Sequence, residues 1–444
     1  MTAAVTSSER APAAPGVHAV TSTAATSLAL AALSAVTGML AARLLGPTAR
    51  GEFAAIQLWP LLLASLAMLG LPEALTYFAA RRTAPAGPLL TTALSLAIPV
   101  TIVAAVAGWF AMPHLLHAQS ADTIRLARWY MAMCPMFALF GLPHHPLRGL
   151  GQFRSWNLIR TLAPLAWMLV LLGGWIFGWH TVRYVVVANL TITVAVGVTV
   201  LWIVHREAGL SRHGAPGTAV PMLRYGMPAL LTTLPQTLNL RLDQMLMSSV
   251  LSSRALGLYV VAVAWSSMSL PAVNALGLVL FPKVAAATEV ERAATFARGV
   301  RIAVAPTIAV TATAVALTPL GMRLMFGAAY ADAQHTALVL LMASAVLSLN
   351  FVLGEGLRGL GRPKSALYAE LSGLAITGVA LLLLLDRFGI MGAAIASLAG
   401  YSAVFAMLTR SAVVATGLPP KVFFGVTRAD IKATTDALRK VAHR

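Results

Sequence analysis

The chain has 444 residues, of which 59% are hydrophobic and 10% charged, with a formal net charge of +18. Ordinary soluble domains carry roughly a quarter charged residues, so this composition excludes a water-soluble globular protein. The basic excess lies in short loops between apolar runs, which argues against nucleic acid as a partner, and a single cysteine, Cys134, excludes an intrachain disulfide.

The first 20 residues are rich in Ala, Ser, Thr and Pro and read as a disordered cytoplasmic tail, residues 1–20. No compact basic segment precedes the first apolar run, and that run is longer than a signal-peptide core of about 7–15 residues, so it reads as a retained helix. Apolar stretches of about 20 residues then recur, each long enough to span a hydrocarbon core as a helix. They are continuous rather than alternating, which excludes a transmembrane β-barrel. Breaks at Gly, Pro and charge clusters predict an all-α polytopic membrane protein with twelve transmembrane helices. In the first half their spans are 21–45, 53–80, 88–111, 124–143, 155–178 and 182–205. In the second they are 223–251, 257–282, 299–321, 334–357, 365–386 and 390–415.

These spans divide the chain into an N-terminal lobe, 21–206, a cytoplasmic linker, 207–221, a C-terminal lobe, 222–417, and a basic tail, 418–444. From Val422 onward the tail places Ile431, Leu438 and Val441 on one helical face. It reads equally as an amphipathic helix on anionic lipid or as a solvated tail. Arg81, Arg82, Arg206, Arg212, Lys283, Arg292, Arg298, Arg362 and Lys364 all fall on one side of the membrane. The positive-inside rule makes that side cytoplasmic and puts both termini there.

The second half echoes the first. Leu-Arg-Gly-Leu-Gly occurs at Leu147 to Gly151 and again at Leu357 to Gly361, each copy following a long apolar segment. Leu44-Leu45 followed by Gly51-Glu52-Phe53 is matched by Val250-Leu251 followed by Gly257-Leu258-Tyr259, and Phe177-Gly178 by Phe388-Gly389. Two six-helix halves in the same register have the same orientation in the membrane. Such parallel repeats are the trace of a two-lobed transporter with a cleft between its lobes. No Gly-x-x-x-x-Gly-Lys loop occurs, so this chain does not hydrolyse ATP itself.

Helix seven is the most polar. At 100° per residue Thr233, Thr237, Arg241, Gln244 and Ser248 share one stripe, Thr232, Gln236, Asn239 and Asp243 a second, and leucines fill the remaining arc. Pro228 and Pro235 are expected to bend it. An intramembrane charge costs at least about 2.5–3.5 kcal/mol and normally faces a cavity or a partner. Arg241 therefore reads either as the wall of a wet cavity that holds an anionic headgroup, or as half of a structural pair. Gln236, Thr237, Asn239, Asp243 and Gln244 are the candidate cavity residues around it.

The repeated motif supplies candidates for the lobe ends: Arg148 in the first copy, beside His144 and His145, and Glu355 and Arg358 in the second. Its glycines suit a tight turn and close helix approach, and its arginines suit anchoring at the cytoplasmic face. Adjacent histidines without a third ligand make no metal site. Arg160 in helix five and Glu370 in helix eleven occupy related positions of opposite charge and are candidates for a gate pair. No catalytic set, metal site or cofactor site emerges, so the chain does not read as an enzyme.

Several motifs carry a resemblance: Arg-Leu-Leu-Gly-Pro from Arg43, Gly-Glu-Phe from Gly51, Leu-Gly-Leu-Pro-Glu-Ala from Leu69, and Tyr-Gly-Met-Pro from Tyr225. Arg-Leu-Asp-Gln from Arg241, Ala-Leu-Gly-Leu-Tyr from Ala255 and Leu-Phe-Pro-Lys from Leu280 complete the set. Together they resemble the bacterial polysaccharide transporters and oligosaccharide flippases of the multidrug/oligosaccharidyl-lipid/polysaccharide exporter superfamily. The resemblance implies a V-shaped pair of six-helix lobes in the bacterial cytoplasmic membrane. It implies alternating access for an oligosaccharide on a polyprenyl diphosphate, with membrane lipids and glycosyltransferases or a polymerase as partners. Arg241 is the position matched to diphosphate binding in relatives that flip peptidoglycan precursor, but the chain has neither a charge in mid helix one nor a thirteenth and fourteenth helix. A cation-coupled multidrug antiporter of the same superfamily and a membrane scaffold for glycan assembly are the alternative readings.

Overall fold

The computed structural model describes residues 17–425, and among them every regular element is helical. In chain order these are α1 Val17–Ala67, α2 Leu71–Ala80, α3 Ala86–Leu115, α4 Ala121–Tyr130, α5 Met133–Gly141, α6 His145–Gly149, α7 Phe153–Ile176 and α8 Val182–Ala208. The second half contains α9 Ala219–Asn239, α10 Leu242–Val250, α11 Ser253–Ser267, α12 Leu270–Ala286, α13 Glu289–Met325, α14 Gln334–Gly359, α15 Lys364–Thr416 and α16 Pro420–Phe424. Seven helices are long and apolar enough to cross a membrane by length and composition. Two of these, α1 and α15, are each a pair of helices joined at a kink, at Gly46 and Gly389. The second helix of α1 and α2, α4 and α5, α9 and α10, and α11 and α12 are pairs separated only by a short turn. Joined in this way, and leaving aside the five-residue α6 and α16, the described residues form twelve rods, six in each half. Most of the N-terminal tail, and the basic tail beyond residue 425, lie outside the described residues.

The repeated pentapeptide folds twice into the same helix end. In the first copy Gly151 adopts φ 78°, Gln152 N–H donates to the Leu147 carbonyl at 2.9 Å, and Gly151 N–H donates to that of Arg148 at 3.2 Å. In the second, Gly361 adopts φ 74°, with Arg362 N–H on Leu357 and Gly361 N–H on Arg358, both at 2.9 Å. This pattern is a Schellman cap, whose left-handed residue is normally glycine because a Cβ there is strained. Hydroxyl caps start other rods: Ser120, Thr181 and Ser252 accept from the backbone of Thr123, Tyr184 and Ala255. Cys134 is buried, and its Sγ donates to the Pro60 carbonyl at 3.3 Å.

Packing follows the repeat. One buried apolar cluster draws mainly on the first half, around Leu71, Leu75, Leu89 and Val204, with Met222 of α9 packed into it. Another draws only on the second, around Val284, Phe296, Val300 and Leu353. A third joins Phe53 and Ile56 to Leu256, Tyr259 and Val261, so the lobes share a core. At its centre the repeat-related Gly51 and Gly257 touch. A Cβ on Gly51 would lie 1.7 Å from the Ser253 carbonyl oxygen, and one on Gly257 would lie 1.8 Å from that of Pro47. Only glycine permits this approach.

Candidate functional site

The polar run of helix seven is interrupted, though not where its prolines suggested. Helix α9 continues through Pro228 and Pro235 and ends at Asn239, and α10 starts at Leu242, leaving Leu240 and Arg241 between them. A single helical wheel therefore does not hold across the site. Asn239, Asp243, Gln244 and Ser248 are buried, whereas Gln236 and Arg241 are exposed and Thr237 is half-buried.

Asp243 is tied on every side. One carboxylate oxygen accepts the Gln244 N–H at 2.7 Å, and the other accepts the Tyr259 hydroxyl and the Ser397 hydroxyl, the latter at 3.2 Å. Its position in the first turn of α10 also suits a negative charge. Asn239 bridges to the eleventh rod, accepting from Thr377 Oγ1 at 3.0 Å and donating to Glu370 Oε2 at 3.3 Å.

The guanidinium of Arg241, two residues from Asp243, makes no hydrogen bond or ion pair with any described residue. It lines a chamber of about 250 Å³ between the lobes, together with Arg50, Gln57, Ser65, Thr237 and Gln244. It also lines a cavity of about 220 Å³ inside the C-terminal lobe, which it shares with Asp243, Gln244, Ser266, Ser344 and Tyr401. Arg50 enters the inter-lobe chamber from the second helix of α1, and its Nε is buried without a hydrogen-bond partner. Two guanidiniums and two amides thus face one chamber, and no carboxylate lines it. Guanidinium forks bind phosphate and carboxylate oxygens bidentately and stay charged at any working pH.

The sequence reading missed Arg50 and Gln57. It ended helix one at 45 and began helix two at 53, which left Arg50 in an outer loop. An arginine on the side that the positive-inside rule depletes was the available signal.

The other candidates are distributed. Glu355 and Arg358 pair with each other at 2.6 Å on α14. Arg148 and Arg160 both lie over the Trp156 ring, at 5.4 and 4.3 Å. The rings of His144 and His145 lie against each other with centroids 4.3 Å apart. Arg160 lines a cavity within the N-terminal lobe while Glu370 is held by Asn239, so these two are not partners in this conformation.

The lobes touch at both ends of the chamber. At the end near Gly51 and Gly257, Gln119 Nε2 donates to the carbonyls of Ser248 and Leu251 at 2.8 and 2.9 Å, and Ser253 donates back to Gln119 at 2.7 Å. Arg43 adds a bond from Nε to the Met325 carbonyl at 2.8 Å. At the opposite end Gly70 and Gly226 pack backbone to backbone, and the Tyr77 and Tyr225 rings stack at 4.3 Å. The arms of the expected V are drawn together in this state.

A family profile described as "Polysaccharide biosynthesis protein" matches residues 18–288. No curated protein matches the chain. Among solved structures, the lipid II flippase MurJ in an inward closed conformation aligns with a TM-score of 0.74 at 11% identity, over 94% of this chain and 92% of that one. An inward-facing multidrug resistance MATE family transporter of the MOP superfamily aligns with a TM-score of 0.72 at 13% identity, over 89% and 98%. A mutant of the Vibrio cholerae MATE transporter VcmN aligns with a TM-score of 0.59 at 16% identity, over 90% and 97%. At these identities the likeness establishes the fold alone: a multi-pass helical fold shared with these proteins.

Proposed function

We propose, for a chain that belongs to the polysaccharide biosynthesis protein family, that it moves a lipid-linked oligosaccharide or polysaccharide precursor of the polyprenyl-diphosphate type across the membrane. Movement is from the inner to the outer leaflet of a bacterial cytoplasmic membrane, by alternating access, with both termini cytoplasmic. Glycosyltransferases or a polymerase of the same glycan pathway act before or after it.

The observation that carries this reading is the chamber shared by Arg50 and Arg241, two cations with no carboxylate among the residues lining it. A charge within the membrane span needs a partner, and a diphosphate brought in by the cargo supplies one. Gln57, Gln244, Ser65 and Thr237 add hydrogen-bonding groups for hydroxyls, while the isoprenoid tail stays in lipid. A cationic drug in the same chamber would meet two guanidiniums of its own sign, which sets the antiporter reading at a disadvantage.

The test is reconstitution. Vesicles holding the purified protein are given a fluorescent polyprenyl-diphosphate oligosaccharide, or in parallel a cationic dye under a proton or sodium gradient. Arg241→Gln and Arg50→Gln should each lower translocation of the anionic lipid at least tenfold, equivalent to about 1.4 kcal/mol. Gradient-driven dye transport by the unmodified protein, with no lipid translocation, would establish the antiporter instead.

A further inference from the structure

We infer that the N-terminal lobe holds a second ligand site, separate from the inter-lobe chamber, which takes a sugar unit bearing its own negative charge. The inference rests on the glycan transport proposed above and narrows its cargo to an acidic glycan.

The site is a cavity of about 360 Å³ enclosed by the second helix of α1 and by α4, α5, α7 and α8. Its walls are aromatic and apolar, with Phe137, Phe140 and Trp167 prominent. One side carries a hydrogen-bonded chain: Gln57 Nε2 donates to the Tyr130 hydroxyl at 3.1 Å, and Tyr130 donates to Asn189 Oδ1 at 2.6 Å. The lining also includes His144 and Arg160, and no carboxylate.

Arg160 is the residue that points to a ligand. Its guanidinium carbon lies over Trp156, 4.3 Å from the ring centroid, yet its Nη1 is buried with no hydrogen-bond partner. A buried donor without an acceptor is costly, and in a charged group more so. Arg148, over the same ring, adds a second positive charge beside it. A structural role would be expected to give Arg160 an acceptor, and none of the described residues supplies one.

The pocket matches a pyranose. A sugar ring has an apolar C–H face, which suits the electron-rich face of an aromatic ring, and a rim of hydroxyls, which suits an amide, phenol and amide chain. A carboxylate on that ring suits the open side of a guanidinium fork. The volume lies in the range of small-molecule pockets. Gln57 and Leu61 line both this cavity and the inter-lobe chamber, so the two share a wall. A cargo with its diphosphate at Arg50 and Arg241 places its sugars next to that wall.

The test uses the full-length protein in nanodiscs, with tryptophan fluorescence read during titration with cellobiose, cellobiouronic acid or inorganic pyrophosphate. A Trp167→Phe variant identifies the signal that belongs to the pocket. Cellobiouronic acid is expected to bind at least tenfold more tightly than cellobiose. Arg160→Gln removes that preference, Arg160→Lys keeps most of it, and Arg241→Gln leaves it unchanged. Thermal melting of each variant separates loss of binding from loss of fold. Equal binding of the two sugars, no pocket response to either, or a preference unaffected by Arg160→Gln overturns the inference. Pyrophosphate binding that depends on Arg241 and not on Arg160 would leave the transport proposal standing in each of those cases. Pyrophosphate binding that depends on Arg160 and not on Arg241 would place the carrier's own phosphates in this pocket and overturn both.

Discussion

Arg241 and Asp243 stand two residues apart in one apolar segment and have opposite surroundings. Asp243 is 4% exposed and receives three hydrogen bonds from Gln244, Tyr259 and Ser397. Arg241 is exposed to two cavities, and its guanidinium makes no hydrogen bond or ion pair with any described residue. Both line the cavity of the C-terminal lobe, but only the guanidinium also reaches the inter-lobe chamber, at the break between α9 and α10. The contrast teaches that an intramembrane charge is not one kind of signal. One is spent on holding a broken helix in place, and the other is left for a partner that comes and goes.

Opening the contact at Gly51 and Gly257 should divide the two regions most sharply. Gly257→Val forces a side chain into the Pro47 carbonyl, where a Cβ alone would sit at 1.8 Å. Overpacking of this kind costs about 1–3 kcal/mol, enough to raise the open population by up to about 100-fold. In a Cys134→Ala background, Thr237→Cys on the chamber wall should then react with a water-soluble thiol reagent added outside, while Ser397→Cys beside Asp243 stays protected. Equal labelling of both positions would erase the distinction.

Stability provides the next contrast. Asp243→Ala strands the Tyr259 and Ser397 hydroxyls and should destabilise the protein by about 2–3 kcal/mol. Arg241→Gln removes no side-chain hydrogen bond or ion pair and should stay within about 0.5 kcal/mol. Unfolding in detergent with a graded denaturant measures both, and a large loss in Arg241→Gln would mean that the arginine is structural.

The smallest contrast is between the two copies of the repeat. Gly151→Ala and Gly361→Ala each place a Cβ on a left-handed residue and should cost about 1–2 kcal/mol. Because the two caps share their hydrogen bonds, the costs should agree closely, as paired melting curves can show.

Much of this architecture can be read from the chain alone. Continuous apolar runs set the twelve rods, and the two Leu-Arg-Gly-Leu-Gly copies fold as the glycine-dependent turns that their composition suggests. Residues 1–16 and those beyond 425 lie outside the described structure, and so does most of the amphipathic-tail reading. What periodicity does not supply is contact across the fold. Nothing in the run Asn239 to Gln244 announces that Asn239 meets Glu370 and Thr377, or that Ser397 reaches Asp243. Nor does hydropathy place Arg50, since a charge near a helix boundary is read as loop until packing shows it facing a chamber.

The most direct test of the central claim is a cryo-electron microscopy structure of the full chain with a short-chain polyprenyl-diphosphate oligosaccharide bound. The account predicts phosphate density within hydrogen-bonding distance of both Arg50 and Arg241, with Asp243 still held by Tyr259 and Ser397. Phosphates seated elsewhere, with Arg241 paired to a protein carboxylate in the bound state, would contradict it.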